Sequence, residues 1–302
     1  MEPLKVGVAG AGVFGTYHAQ KAHTSARAEL VGVYDLDGVR AETAAVAYGG
    51  AGYDALEPLL AACDAVIVAV PAVHHETLVA QALNAGKHVL VEKPLALTAK
   101  AARRLAGQAV TQGLVLQVGH QERFVAKHMG IFAIEEVPIR LESVRAGPAP
   151  ADGRAGDVSV IWDLMIHDLD LAACMVSRAF SAVKTEGVVG RSGHLDQATS
   201  EFEFVAGGSA WLHASRTSSE RERTMKLVYP SGEISVDFLT RKVENTTGYA
   251  VQVDVSGALP DPLEAADESF FKACRGEAMS FVPGHGAVAA VAMAEAAQRA
   301  AG

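Results

Sequence analysis

The chain has 302 residues, which is enough for two domains, because single hydrophobic cores stop growing at roughly 250–300 residues. Its net charge of −9, without a cluster of Lys and Arg, argues against nucleic acids and anionic membranes as partners. No apolar run reaches the ~18 residues of a membrane-spanning helix, and the first residues lack the shape of a signal peptide. The three cysteines lack the spacing of a disulfide scaffold or a thiolate zinc site, so we expect a soluble protein of the reducing cytoplasm.

The first part of the chain alternates short apolar strands with helical stretches, a pattern typical of a parallel sheet covered on both faces. Helices are predicted at residues 76–85 and 98–112. The predicted strands are residues 5–9, 30–34, 65–70, 88–91 and 114–118. Residues 1–119 are therefore predicted to form a doubly wound α/β domain.

From residue 138 onwards, a helix near 162–175 is followed by strands with period-two alternation. These strands are predicted at residues 200–205, 209–214, 225–229 and 233–238, and helices at 263–275 and 285–301 end the chain. Successive hairpins predict an antiparallel sheet with one covered face. Residues 120–302 are therefore predicted to form an α+β domain with a large open antiparallel sheet. The stretch 146–156 is predicted to be a surface loop or lid, and 216–223 a solvated loop.

A glycine-rich fingerprint follows the first predicted strand. In GxGxxG order, Gly10 allows a tight turn, Gly12 lets the backbone approach a pyrophosphate, and Gly15 permits close packing of helix on strand. Val13 and Phe14 complete this segment at the helix start, where backbone N–H groups face phosphate charge. An ordinary glycine-rich turn is the alternative, and the match of strand, turn and helix disfavours it. The fingerprint predicts a Rossmann domain that binds a dinucleotide.

Asp35 indicates which dinucleotide is bound. It ends the second predicted strand, 20 residues after Gly15, where a carboxylate accepts bonds from ribose hydroxyls. The same carboxylate repels the 2′-phosphate of NADP, and Leu36 beside it cannot hold a phosphate. Arg40 lies five residues further on, so NADP is disfavoured and not excluded. NAD is therefore the predicted cofactor.

Further along, the string GKHVLVEKP at residues 86–94 resembles a hallmark of the Gfo/Idh/MocA family of glucose–fructose oxidoreductases, inositol 2-dehydrogenases and rhizopine catabolism proteins. The string DLMIHDLD at residues 163–170 is similar to the family's catalytic-helix motif, Asp-x3-His-x2-Asp. FVPGHGA at residues 281–287 extends the similarity over nearly the whole chain. With GHQERF at residues 119–124, the chain most resembles the nucleotide-sugar branch, such as UDP-N-acetylglucosamine 3-dehydrogenases.

The resemblance implies an NAD-dependent oxidoreductase that moves a hydride between a sugar hydroxyl and nicotinamide. A nucleotide sugar is the first expected substrate, and a free cyclitol or aldose is the second. The resemblance also implies a homodimer or homotetramer built through the C-terminal sheet. The exposed face of this sheet needs covering, and the side chains available to cover it are Trp211, Leu212 and Phe238.

The resemblance assigns several residues to the site. Beside the fingerprint and Asp35, the cofactor is expected to contact Pro71, His75, Glu92 and Lys93. Lys93, Asp163 and His167 are expected to be catalytic and to bind substrate. Arg123 is expected to bind substrate with them, and it and Arg145 carry forked donors suited to a phosphate or sugar hydroxyl.

The residue types fit alcohol oxidation. Asp163, His167 and Asp170 have the spacing i, i+4 and i+7, which places them on one helix face. His167 is suited to take the hydroxyl proton near neutral pH, with Asp163 orienting its imidazole. Pro94 restricts Lys93 to extended backbone, and its ammonium would favour alkoxide character on the same oxygen. Either Lys93 or His167 can be the base.

Other interpretations of these residues stay open. A metal site would combine His167 with the carboxylates, but a single His without a Cys partner is poor zinc chemistry, so no metal is predicted. A solvated acidic helix face is the second alternative. A non-catalytic NAD-binding regulator is the third, which the presence of Lys93, Asp163 and His167 disfavours. Transient use of NAD to cleave a glycoside is the fourth.

Overall fold

The computed structural model describes residues 2–149, 156–177, 179–257 and 261–302. The chain divides into two compact units, Met1–His120 with Leu263–Val288, and Gln121–Pro262 with Ala289–Gly302. Within the described ranges, each helix is too short or too polar to cross a membrane.

The first unit contains a parallel sheet of six strands in the order β3-β2-β1-β4-β5-β6. The strands are β1 (Leu4–Ala9), β2 (Ala28–Tyr34), β3 (Ala51–Tyr53), β4 (Ala65–Val68), β5 (His88–Val91) and β6 (Leu116–Val118). The order reverses between β1 and β4, and open α/β sheets bind ligands at the carboxyl ends of the strands beside such a switch point. The predicted Rossmann domain is confirmed.

Five helices connect these strands. They are α1 (Val13–Thr24), α2 (Gly38–Val46), α3 (Leu56–Ala62), α4 (His75–Asn84) and α5 (Ala99–Gln112). Helix α5 shows why its bounds could be predicted. The Thr98 side chain accepts a hydrogen bond from the Ala101 N–H at its start, and Gly113, with φ of 67°, ends it in the left-handed conformation that glycine favours.

The second unit begins with α6 (Glu122–His128) and contains a π-helical turn, Ile161–Met165, that continues into α7 (Ile166–Met175). Its sheet has the order β13-β12-β11-β7-β10-β9-β8. The strands are β7 (Arg140–Pro148), β8 (Phe180–Val189), β9 (Leu195–Phe204), β10 (Ser209–Ser215), β11 (Thr217–Tyr229), β12 (Gly232–Asp237) and β13 (Lys242–Asn245). All neighbouring strands are antiparallel except β7 and β10. The predicted open sheet is therefore confirmed as mostly antiparallel.

Two long helices end the chain, α8 (Pro262–Cys274) and α9 (Gly284–Ala300). Helix α8 packs on the first unit, where Phe270 and Phe271 join a buried cluster with residues of β1, β2 and α1. Between the two helices, the Val118 N–H of β6 donates to the Val282 carbonyl at 3.0 Å. Residues 263–288 thus belong to the Rossmann unit, although the sequence analysis assigned them to the C-terminal domain.

Three local expectations need correction. Leu212 and Phe238 are only 1% and 8% exposed, so of the three side chains expected on the open sheet face, only Trp211 lies there. Residues 217–223 form the exposed start of β11 and not a loop, with a bulge between Thr217 and Glu222. Of the expected loop 146–156, residues 146–148 belong to β7, and 150–155 lie outside the described residues.

Candidate active site

The carboxyl edge of the Rossmann sheet carries the predicted cofactor residues in spatial order. Asp35 follows β2, Gly10 follows β1, Pro71 lies shortly after β4, and Lys93 lies shortly after β5. These four strands are neighbours in the sheet. Parallel strands bring their carboxyl ends to one edge, so residues far apart in sequence lie along this edge, on both sides of the switch point.

The backbone geometry at the three fingerprint glycines agrees with the spacing, and contact of Gly12 with a pyrophosphate stays a prediction. Gly10 has φ of 106°, and a Cβ there would lie 2.5 Å from the Ala69 carbonyl oxygen. A Cβ on Gly15 would lie 1.8 Å from the Gly10 carbonyl oxygen, so only glycine fits. Above Gly12 the nearest atom is an Arg40 nitrogen at 3.9 Å, which leaves the backbone open to a ligand.

The start of α1 is suited to an anion. Gly12 is its N-cap and supplies no side-chain acceptor, so the backbone donors of the first turn receive no side-chain cap. Val13 and Phe14 follow at this end and are 42% and 43% exposed. A helix N-terminus without a capping side chain fits the pyrophosphate of a dinucleotide.

Asp35 fixes the fingerprint loop through its carboxylate. One oxygen accepts the Ala11 N–H at 2.7 Å and the other accepts the Asp37 N–H at 3.0 Å. Each carboxylate oxygen has a further lone pair for a ribose hydroxyl. Arg40 stands 3.8 Å from the carboxylate as a half-exposed ion pair, so its charge is offset at this position.

Lys93 is partly buried, and its neighbours in sequence, Glu92 and Pro94, are each contacted by a buried histidine. On one side, the buried His75 ring contacts two backbone carbonyls, those of Pro94 at 2.6 Å and Val70 at 2.9 Å. Burial lowers the pKa of His75, and the hydrogen bonds to the two carbonyls oppose that shift. His75 therefore links the end of β4 to the turn that carries Lys93.

On the other side, Glu92 is 8% exposed and its carboxylate turns inward. Its Oε1 lies 3.3 Å from His18 Nε2, and its Oε2 accepts the Lys93 backbone N–H at 3.3 Å. Burial would raise the pKa of Glu92, yet His18 holds it below its usual value. For both Glu92 and His75, direct cofactor contact stays a prediction, and their positions favour a role in fixing Lys93.

In the second unit, the catalytic-helix motif spans the π-helical turn and α7. Asp163 and His167 are partly exposed, whereas Asp168 and Asp170 are 2% and 1% exposed. The predicted common face therefore holds Asp163 and His167 but not Asp170. A π-helical turn inside an α-helix is rare and is frequent at functional sites.

The two buried aspartates of α7 each bind an arginine fork. Arg123 Nε and Nη2 donate to Asp170 at 2.6 and 2.5 Å. Arg145 Nε and Nη2 donate to Asp168, both at 2.9 Å, and its Nη1 donates to Glu122 at 2.9 Å. Paired and buried, these guanidinium groups fix α7 to α6 and β7, so substrate binding by Arg123 stays a prediction that this geometry does not support.

The same geometry weakens the alternative of a metal site. Both oxygens of Asp170 bind Arg123, so only Asp163 and His167 of the motif are left for a cation. Among the described residues, no three His, Cys, Asp or Glu side chains are grouped as metal ligands would be.

In the first unit, sequence reasoning missed two residues close to Glu92 and Lys93, namely His18 and Asp267. His18 occupies the buried face of α1, and Asp267 lies in α8, 249 residues away. A polar residue on the buried face of each amphipathic helix was the available signal, but it does not show which residues pair.

Comparison with known proteins agrees with this geometry. A family model described as "Oxidoreductase family, NAD-binding Rossmann fold" (GFO_IDH_MocA) matches residues 4–120. The UDP-N-acetylglucosamine 3-dehydrogenase of Acidithiobacillus ferrooxidans is 35% identical over 240 residues, covering 78% of this chain and 74% of that protein. An inositol 2-dehydrogenase of Cereibacter sphaeroides is 34% identical over 180 residues, or 56% of this chain and 52% of that protein.

Among solved structures, the UDP-N-acetylglucosamine 3-dehydrogenase GnnA from Acidithiobacillus ferrooxidans superposes with a TM-score of 0.91 at 32% identity, covering 99% of this chain and 98% of that one. The tight glycine turn, the open backbone at Gly12 and the Asp35 carboxylate fit NAD, which is the cofactor. The chain therefore belongs to the Gfo/Idh/MocA family of NAD-binding oxidoreductases.

Proposed function

We propose that the protein oxidises a secondary hydroxyl of a sugar to a ketone, or catalyses the reverse reduction. When bound, NAD accepts the hydride, and the chain must remove the hydroxyl proton and stabilise the charge that develops on oxygen. The observation that carries this proposal is the position of Lys93, which follows β5 at the carboxyl edge of the sheet and whose two neighbours in sequence are contacted by buried histidines.

Three side chains divide the chemistry in this proposal. Lys93 hydrogen-bonds the substrate oxygen and favours its alkoxide character. His167 exchanges the proton, since an imidazole is suited to proton transfer near neutral pH. Asp163 orients the imidazole and stabilises its charged form. The partial exposure of all three supports these roles, because a group that touches substrate must be reachable.

A nucleotide sugar is the proposed substrate. The 35% identity to the Acidithiobacillus ferrooxidans UDP-N-acetylglucosamine 3-dehydrogenase covers more of this chain than the identity to the inositol 2-dehydrogenase. A free cyclitol or aldose is the second candidate, which the inositol 2-dehydrogenase supports.

A surplus of positive charge supports a phosphate-bearing substrate. Arg223 of β11 lies directly opposite Arg145 of β7, an arrangement that like charges disfavour. Desolvation by neighbouring groups and the nearby Arg145 lower the pKa of Arg223, Arg221 acts in the same direction, and the carboxylates of Glu122 and Asp168 oppose the shift. Arg145 is already paired with Asp168 and Glu122, whereas no ion-pair partner of Arg223 lies within the part of the chain that the structure describes. A diphosphate would offset this charge through forked hydrogen bonds.

We also propose that copies associate, as a homodimer or homotetramer, through the open face of the second sheet. Trp211 lies on this face and stacks on His213, with ring centroids 6.0 Å apart and an interplanar angle of 14°. Replacing Trp211 by Glu should therefore dissociate the assembly in native mass spectrometry, and an unchanged assembly would contradict the proposal.

None of the three cysteines forms a disulfide, which supports the cytoplasm as location.

The test of the function is product analysis with purified protein, NAD and a panel of nucleotide sugars, free sugars and cyclitols. We expect NADH and a keto product from a nucleotide sugar. Lys93→Met should lower turnover by orders of magnitude and leave NAD affinity unchanged, while the exposed Lys100→Met serves as control. Arg223→Gln should raise the KM for the nucleotide sugar and leave the KM for NAD and for free sugars unchanged. A released sugar would indicate glycoside cleavage, and NAD binding without turnover would indicate a regulator.

A further inference from the structure

A buried charged triad lies inside the Rossmann unit, and the cofactor fingerprint does not include it. It consists of His18 from α1, Asp267 from α8 and Glu92 at the end of β5, with exposed fractions of 1%, 0% and 8%. Charged groups are almost never buried this completely unless they are paired. Each of the three is therefore held by the others in one arrangement.

The contacts of the triad run from Asp267 through the His18 ring to Glu92. His18 Nδ1 lies 2.9 and 3.0 Å from the two oxygens of Asp267, and its Nε2 lies 3.3 Å from Glu92 Oε1. Asp267 thus orients the ring, and the ring presents its other nitrogen to Glu92. Burial would lower the pKa of His18, but the two carboxylates raise it to about 10, so the ring is a permanent cation at neutral pH.

The triad ends beside Lys93. Glu92 Oε2 accepts the Lys93 backbone N–H at 3.3 Å, and the carboxylate fills the space over Gly119, where a Cβ would lie 2.8 Å from Oε1. The residue after Lys93 is held independently, because His75 contacts the Pro94 carbonyl at 2.6 Å. The backbone on both sides of Lys93 is therefore fixed by a buried imidazole.

We propose that His18, oriented by Asp267, is a positioning residue for Lys93, which it acts on through the carboxylate of Glu92. This inference rests on the proposed function, in which Lys93 holds the substrate oxygen. By this account α1 has two tasks. Its first turn faces the cofactor, and His18 in its second turn fixes Glu92, the residue before Lys93. One helix therefore positions both the cofactor and the catalytic lysine.

A role limited to stability explains this arrangement less well. Replacing a buried ion triad by apolar residues of similar volume is often neutral or stabilising, so packing alone gives no reason to keep three charges here. The three side chains also meet at the carboxyl end of β5, next to the residue whose ammonium needs aiming, and not in the middle of the sheet. A misplacement of about 1 Å in an active site can cost about 10²-fold in rate.

The experiment compares His18→Gln with Glu264→Gln. The second variant removes an ion pair between the same two helices, Lys21 with Glu264 at 3.1 Å, without touching the triad. We expect His18→Gln to lower kcat by about 10²-fold while its KM for NAD stays unchanged, since the loss is confined to the transition state. Glu264→Gln should match wild type. Equal kcat for His18→Gln and wild type would overturn the proposal.

A pH profile separates positioning from general damage. Around Glu92 the charged or titratable groups are His18 from α1, His75 from α4, the adjacent Lys93, and Asp267 from α8 through His18. Without the His18 charge, burial raises the pKa of Glu92, so turnover of His18→Gln should fall as pH decreases, in a range where wild type is constant. A variant with a profile parallel to wild type would contradict the proposal.

A second variant covers failure to fold. The triple replacement His18→Met, Asp267→Leu, Glu92→Met removes all three charges and leaves no buried charge unpaired. It should fold and bind NAD but turn over slowly, and a fully active triple variant would refute the positioning role. The acylation rate of Lys93 relative to Lys100, followed by peptide mass spectrometry, tests the same point without turnover. That relative acylation rate should change in the triple variant. If wild type shows no turnover with any substrate, the proposed function fails, and the acylation rate still tests whether the triad positions Lys93.

Discussion

At the scale of single residues, Asp35 shows how one carboxylate can serve both loop and ligand. It accepts two backbone N–H groups, from Ala11 and Asp37, and these bonds hold the fingerprint loop beside the strand end. Arg40 stands 3.8 Å away, where it would meet a 2′-phosphate if the carboxylate were absent. We therefore predict that the preference for NAD over NADP depends on a balance between these two opposite charges.

We expect Asp35→Ala to weaken NAD binding and to narrow the preference over NADP. Hydrogen bonds to a charged group contribute about 1.5–3 kcal/mol, which corresponds to roughly 10- to 100-fold in the Kd for NAD. NADP should bind better than to wild type, because the repulsion is gone and Arg40 stays. Calorimetry with both cofactors measures the change.

Asp37→Ala is the matched control for this experiment. Asp37 caps α2 by accepting the N–H groups of Val39 and Arg40, so its loss should cost about 1 kcal/mol of stability. It should leave the ratio of NAD to NADP affinity unchanged. A wild-type ratio in Asp35→Ala would show that the carboxylate does not select the cofactor.

The residues that the sequence located well are those whose role is set by their own backbone. Gly10 and Gly15 could be assigned because φ above zero and close approach follow from the fingerprint spacing. The triad of His18, Glu92 and Asp267 could not be assigned in this way, because its members are brought together only by packing of α1, β5 and α8. Pairing across 249 residues leaves no local pattern in the chain.

At the scale of secondary structure elements, prediction succeeded where an element has its own periodicity or cap. Helix α5 has Thr98 and Gly113 at its ends, and the predicted bounds are close to the observed ones. The edge strand β3 was missed because Ala51–Tyr53 is short and half-exposed, without an apolar run. The π-helical turn Ile161–Met165 also escaped prediction, because a shift in hydrogen-bond register does not change composition.

Helix α7 and the π-helical turn before it separate buried residues that stabilise the fold from accessible residues that we propose for the chemistry. The helix places Asp168 and Asp170 in buried arginine forks, whereas His167 and, in the π-helical turn, Asp163 are partly exposed. The motif Asp-x3-His-x2-Asp thus combines two functions on one element, and its last Asp fixes the helix that presents the other two residues.

We expect Asp170→Asn to destabilise the protein strongly. The substitution keeps the shape of the side chain but leaves the buried Arg123 charge without its counter-charge, and breaking a buried ion pair in this way costs about 3–5 kcal/mol. The free energy of unfolding in urea, compared at equal m-value, measures the loss. Glu142→Gln breaks an exposed pair with Arg140 and should cost less than about 1 kcal/mol. Equal stability of the two variants would show that the Arg123 fork does not anchor α7.

At the scale of the whole molecule, each compact unit contains its own buried charges. The first unit holds the triad of His18, Asp267 and Glu92, and the second holds the pairs of Arg123 with Asp170 and of Arg145 with Asp168. Arginine stays protonated throughout the accessible pH range, so the second set cannot titrate on its basic side. The response of stability to mildly alkaline pH should therefore come from the first unit, because Tyr229 of the second unit titrates only around and above pH 10.0.

We expect the free energy of unfolding to decrease as pH rises above 6.5. The pKa of His18 is raised from 6.5 to about 10, so its proton stabilises the folded state fully below pH 6.5 and is lost as pH rises through about 10. Between these limits the slope reaches up to about 1.4 kcal/mol per pH unit. Three other histidines, His75, His88 and His213, have lowered pKa values and affect stability only below this range.

The triple variant His18→Met, Asp267→Leu, Glu92→Met isolates this slope, because it removes every titratable group of the triad. Burial also raises the pKa of Cys63, to about 11, and that of Cys274, so both thiols lower stability at alkaline pH, but in the unfolded chain they ionise mainly above about pH 8. Between pH 6.5 and about 8 the decrease in wild type should therefore belong to the triad and be missing in the triple variant. Denaturant unfolding at a series of pH values measures both proteins. Parallel curves over that interval would mean that the folded state does not retain the His18 proton, and that the triad is not held together by an imidazolium.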